Sequence, residues 1–121
     1  MANICNLEQL SNMTGGDIST MKEFVKMYLT DTPQLILKIR NANSNQSYVG
    51  EESVAWCCHK IAPQLSYMGI SSGYDLAKSV EARLKELSAG YPELNDELAQ
   101  LNDICMQSYR ELNDFMNSNP G

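Results

Sequence analysis

The sequence predicts an all-α fold: an antiparallel up-down four-helix bundle with a short N-terminal cap helix. Three observations carry this prediction. Apolar residues recur in four-three spacing along most of the chain, the period of a helix face. No five-residue stretch alternates, or gathers β-branched residues, as a strand does. Clusters of glycine, proline, serine and asparagine break the pattern into segments joined by short connections, which favour antiparallel neighbours.

The elements follow in order. Leu7, Leu10 and Met13 mark the short opening helix, and Thr14-Gly15-Gly16 ends it. Asp17 is a suitable N-cap for the next helix, one bent helix over about residues 17–43. Its apolar face carries Met21, Phe24, Val25, Tyr28 and Leu29, then Leu35, Ile36 and Ile39. Pro33 should kink or break it near Asp31-Thr32, because proline lacks an N–H and its ring clashes with the preceding turn. Asn41 to Gly50 reads as a loop. A helix from about Gly50 to Gly69 has the core seam Val54, Cys58, Ile61, Leu65 and Met68. Ser71-Ser72-Gly73 reads as a turn, with Ser72 and Asp75 resembling a capping box. Leu76, Ala77, Val80, Leu84 and Leu87 line the third long helix, which Gly90 ends. Pro92 opens the last helix, where its missing donor costs little. The seam of that helix is Leu94, Leu98, Leu101, Cys105, Ser108, Leu112 and Phe115, and the tail from Asn117 should fray.

Length and composition bound the function. A chain of 121 residues suits one domain, residues 1–121. The formal net charge of −6 argues against nucleic acid and anionic membrane surfaces as partners. No apolar run approaches a membrane span, and the first residues lack the pattern of a secretory signal. A cytoplasmic protein is therefore expected. Cys5, Cys57, Cys58 and Cys105 read as reduced thiols, mostly buried. Adjacent Cys57-Cys58-His59 point about 100° apart on a helix, so they do not converge on a metal.

His59 is the one histidine of the chain. At about 100° per residue it points roughly 140° from the centre of its helix's core seam, so it should face outward. An outward histidine is usually an ordinary surface residue, but its neighbours here are unusual. A solvated face normally carries Lys and Glu. Around His59 stand Ala55, Ala62, Pro63 and Ser66, with Trp56 and Ile70 at the margins. This clearing of short side chains lets a partner close over the imidazole, and exposed apolar groups suggest a docking surface. A neutral imidazole attacks through one ring nitrogen while the other keeps its proton.

The stretch Cys58-His59-Lys60-Ile61-Ala62-Pro63-Gln64-Leu65-Ser66-Tyr67-Met68-Gly69-Ile70 resembles the signature of histidine phosphotransfer domains. That signature has the phosphorylated His, an apolar residue two later, Lys three later, Gly four later and Gly ten later. His59, Ile61 and Gly69 match in place. Leu76-Ala77-Lys78-Ser79-Val80-Glu81 resembles the Leu-Cys-x-x-Leu-Glu stretch of the family's next helix. Phe24 through Pro33 to Ile39 resembles its first bundle helix. The resemblance covers about residues 7–90 in order and spacing. It implies a two-component phosphorelay intermediate, phosphorylated on His59 and without kinase activity of its own. Its partners would be a response-regulator receiver domain and a hybrid sensor histidine kinase. No cofactor is implied for the chain itself, since the required Mg²⁺ belongs to the receiver. It also implies that Glu81 falls beside the imidazole, where a carboxylate would accept a ring N–H; the ordinary reading is a solvated helix residue.

Two departures weaken the match. Ala62 stands where the signature has Lys, and Lys60 is the nearest replacement, though it points about 100° from His59. Pro63 replaces the signature Gly and cannot donate to the His59 carbonyl. Slower transfer than the family norm is expected. One alternative is a degenerate module that docks a receiver or other partner without being phosphorylated. Another is an unrelated helical adaptor with a groove around Trp56 and Ile70. A hydrolase or oxidoreductase finds least support, because the nucleotide and paired-carboxylate motifs are missing.

Overall fold

A computed structural model describes residues 3–45, 54–87 and 94–119. The fold is all-α. Five helices follow in order: α1 (Glu8–Met13), α2 (Ile18–Asn45), α3 (Val54–Tyr67), α4 (Ser71–Leu87) and α5 (Asn95–Ser118). Each long helix packs on its chain neighbour, and α5 closes the ring against α2. This is the expected antiparallel up-down bundle with a short N-terminal helix.

The seams predicted from spacing form one core. Val25, Tyr28 and Ile39 of α2 meet Val54, Cys58, Ile61 and Leu65 of α3, Ala77 and Val80 of α4, and Leu98, Leu101, Cys105 and Leu112 of α5. Phe24, Leu29, Leu76, Leu84 and Phe115 are only partly buried against it. The burial expected of Leu87 lies outside the described side chains. A polar layer crosses this core between α2 and α5. Ser108 gives its hydroxyl proton to the Cys105 carbonyl at 2.6 Å, so Tyr28 donates its own to Ser108 at 2.7 Å. Thr32 Oγ1 lies 2.7 Å from the Tyr28 carbonyl and 3.1 Å from the Tyr109 hydroxyl.

Asp17 caps α2 as expected. Its carboxylate accepts the Ser19 N–H at 3.2 Å and the Thr20 hydroxyl at 2.6 Å. Helix α2 runs unbroken through Pro33 and continues to Asn45, so residues 41–45 are helix and not loop. No glycine or proline stops the backbone there. The expected starts of α3 at Gly50 and of α5 at Pro92, and the stop at Gly90, lie outside the described residues. Helix α4 begins at Ser71, with Tyr74 N–H donating to the Ile70 carbonyl at 2.9 Å. Ser72 and Asp75 are therefore inside the helix and cannot form its capping box. Helix α5 extends through Ser118, where fraying was expected, and the Asn119 amide donates to the Phe115 carbonyl at 2.9 Å.

The N-terminal segment ties one end of the bundle. Glu111 of α5 accepts the backbone N–H groups of Ile4 and Cys5 at 3.0 Å. Asn6 N–H donates to the Met68 carbonyl, also at 3.0 Å. Leu10 of α1 is completely buried, whereas Met13, another apolar position expected on this helix, is 51% exposed.

Candidate functional site

His59 projects from the middle of α3, and its side chain is 61% exposed. The helix face toward the core is filled by Cys58, Ile61 and Leu65, which leaves residue 59 at the rim beside α4. The imidazole is fixed from below. Its Nδ1 lies 2.9 Å from Oε2 of Glu81, a carboxylate whose side chain is only 6% exposed. Glu81 belongs to α4, one position after the core residue Val80, and is itself buried. An ionised carboxylate only accepts hydrogen bonds, so Nδ1 carries the shared proton and Nε2 faces outward with its lone pair. A single contact thereby favours one tautomer of the neutral ring.

The second carboxylate oxygen has its own cation. Lys78 Nζ lies 3.5 Å from Glu81 Oε1, one turn earlier on α4. Its side chain is 48% exposed, so it is free to change rotamer at little cost in packing. The residue pattern alone gives Lys78 no role, although one signal for it was present. The signal was its three-residue spacing from Glu81, which puts both on one helix face.

Lys60 goes elsewhere. Its Nζ sits 5.5 Å from the centroid of the Trp56 ring, and Lys38 Nζ of α2 sits at the same distance. The indole is thus within cation–π reach of Lys38 from α2 and of Lys60 from its own helix. Lys60, expected to support a group on the imidazole, lies on the Trp56 ring and not on the His59–Glu81 pair.

The proposed docking face divides. Pro63 is exposed, and Ala55, Trp56 and Ser66 are half-buried. Ala62 and Ile70 are not on that face: they are 1% and 0% exposed. For Ala62 the reason is the width of the buried stripe. Helix α3 packs on both α2 and α4, so Cys57 and Ala62 join the narrower seam. For Ile70 the reason is chain reversal. Gly69 takes a left-handed φ of 68°, the helical wheel ends there, and Ile70 turns into the core.

The chemistry available is that of one nucleophilic imidazole, one buried carboxylate and one mobile ammonium. The thiols do not join it. Burial, then the Cys57 and Glu81 charges, push the Cys58 thiol up to about 12. Among the described residues no three His, Cys, Asp or Glu side chains are grouped to hold a metal ion. No described helix is long and apolar enough to cross a membrane. Comparison with family models, with curated proteins and with solved structures finds no match.

Proposed function

We propose that this chain is a phosphorelay intermediate that carries a phosphoryl group on Nε2 of His59 and exchanges it with the aspartate of a receiver domain. The observation that carries the reading is the exposed imidazole held at Nδ1 by the buried Glu81 carboxylate. A histidine kept only for packing or solubility needs no buried anion behind it.

The transfer balances with these groups. Nε2 attacks the phosphorus of an aspartyl phosphate. The new N–P bond forms as the P–O bond breaks, and the electron pair leaves with the aspartate carboxylate. The ring keeps its Nδ1 proton and becomes a phosphorylated imidazolium. Glu81 accepts that proton's hydrogen bond throughout and offsets the positive charge gained by the ring. The reverse sequence returns the group to a second receiver. Mg²⁺, where the transfer needs it, sits on the receiver. In this reading the chain turns over no substrate of its own, works in the cytoplasm, and receives its phosphate through a hybrid sensor kinase.

A second reading, docking without phosphorylation, draws support from the neutral, buried Ala62 and from Lys60 being occupied by Trp56. One experiment separates the two. The protein is incubated with a phosphorylated receiver and assayed for acid-labile phosphate. Phosphate on the wild type and none on His59→Gln supports the carrier. A complex without phosphate transfer, unchanged by His59→Gln, supports the docking module.

A further inference from the structure

We infer that Lys78 is the cation of the phosphoryl site, supplied from α4 where the resembling family supplies it from the helix of the histidine. This rests on the phosphoryl-carrier reading of His59. The argument starts from charge. A phosphoryl group on Nε2 brings about two negative charges to a ring already backed by the Glu81 carboxylate. Without a nearby cation, that arrangement repels itself. Three lysines are candidates for that cation. Lys38 and Lys60 both lie on the Trp56 ring. Lys78 alone of the three is paired to the carboxylate that touches the imidazole.

Register strengthens the case. Helices α3 and α4 are antiparallel neighbours, and His59 stands beside Glu81. Three residues forward on α3 and three back on α4 cover the same axial distance, about 4.5 Å. Ala62 and Lys78 therefore stand at one level across the helix pair. The position that lacks a cation on α3 faces a lysine on α4. In the unmodified protein Lys78 neutralises Glu81. After transfer its half-exposed stem lets the ammonium turn toward the phosphoryl oxygens, while Glu81 stays on Nδ1.

The test uses the whole chain and phosphoramidate, a small donor that requires no partner and releases ammonia. Initial rates of acid-labile phosphate uptake are compared for wild type, Lys78→Gln, Lys78→Arg and Lys60→Gln. Phosphorus NMR of the phosphohistidine is then followed against pH. Lys78→Gln should slow uptake about ten-fold, Lys78→Arg should restore most of it, and Lys60→Gln should stay within about two-fold of wild type. A nearby cation favours the phosphoryl dianion, so its titration should move to higher pH in Lys78→Gln. A purely structural lysine would leave that titration in place. Uptake and titration indifferent to Lys78, or a loss confined to Lys60→Gln, overturns the inference alone. No uptake by the wild type defeats the carrier reading and the inference with it.

Discussion

The backbone of Asn6 lies directly against Gly69, at the point where α3 gives way to α4. Asn6 N–H donates to the Met68 carbonyl at 3.0 Å, and a Cβ on Gly69 would collide with the Asn6 carbonyl. Gly69 also has φ of 68°, a conformation that favours glycine. The signature-like glycine is therefore explained by two local demands, a left-handed helix stop and a docked N-terminal segment. Gly69→Ala should cost at least about 1–2 kcal/mol for the left-handed residue alone, and displacing Asn6 adds to that. Urea unfolding measures the total. Hydrogen exchange at the Asn6 amide should quicken selectively; unchanged protection there would show that the contact does not hold the segment.

The same segment is anchored by Glu111, which makes the anchor pH-sensitive. Partial burial pushes the Glu111 carboxyl up, but the Ile4 and Cys5 N–H groups, the Gln107 amide and the Cys5 thiol outweigh it and hold the group below 4.5. The folded form binds its proton less readily than the unfolded form. The stability from this carboxylate is therefore complete above pH 4.5 and is lost as pH falls through the lowered folded value. Wild type should exceed Glu111→Gln in urea midpoint at neutral pH, and the gap should close as pH falls below 4.5 and through the lowered folded value. A gap that is constant with pH would remove the charge from the explanation.

Tyr28 and Ser108 join α2 to α5 across the core at 2.7 Å, and neither side chain reaches solvent. Removing the Tyr28 hydroxyl leaves Ser108 Oγ without that donor. Tyr28→Phe should destabilise the fold by about 1–2 kcal/mol, the usual cost of stranding a buried polar group. It should leave phosphate uptake at His59 unchanged, because this layer is on other helices from the His59–Glu81 pair. Chemical denaturation and the phosphoramidate assay, run on one preparation, check both halves.

Most of the fold was legible because its signal is periodic. The four-three seams of α3 and α5 needed only spacing, and Asp17 needed only cap chemistry. What the sequence hid is the consequence of tertiary packing. Ala62 is small enough for either a clearing or a crowded interface, and only the presence of α4 decides for burial. The wheel that put Ile70 at the margin of the surface assumed a helix that Gly69 had already ended. At the site, the outward direction of His59 followed from geometry on one helix. The Glu81 contact came only through the family resemblance, because it joins two helices. The Lys78–Glu81 and Lys60–Trp56 pairs lie three and four residues apart on one helix, spacings that the sequence offers but does not rank. This also changes one design. Ala62→Lys, the obvious restoration of the family pattern, would drive an ammonium into a position 1% exposed. Substitutions at Lys78 address the same charge without touching the core.

The thiols give a test of packing that is independent of function. Burial first, then the Glu111 carboxylate, pushes Cys5 up to about 12. Burial likewise raises Cys105 to about 11 despite opposing hydrogen bonds from Tyr28 and Tyr109. Cys58 stands at about 12, and Cys57 is fully buried. Thiolate is the reactive form, so the native chain should label slowly with a disulfide reagent at mildly alkaline pH. All four thiols should react at once in denaturant. Fast labelling of one thiol in the native state would locate a loosely packed element.

The tautomer of His59 provides the most direct physical test of the site. A neutral imidazole free in water has no fixed acceptor at Nδ1; here Glu81 Oε2 stands 2.9 Å away. Nitrogen NMR of the neutral ring should show a protonated Nδ1 and an unprotonated Nε2 in the wild type. Glu81→Ala removes the acceptor, so the ring should lose that preference and the Nε2 proton should become substantially populated. If Nε2 is the attacking atom, the same change should slow phosphate uptake by about 10–100-fold, the scale at which positioned proton partners act. Glu81→Gln keeps an acceptor oxygen but not the charge. It should hold the tautomer in part while failing to offset the phosphorylated imidazolium, so its rate should fall further than its tautomer ratio. A wild-type ring already protonated at Nε2 would mean that Glu81 does not select the nucleophile, and the exposed nitrogen would then have no lone pair to offer.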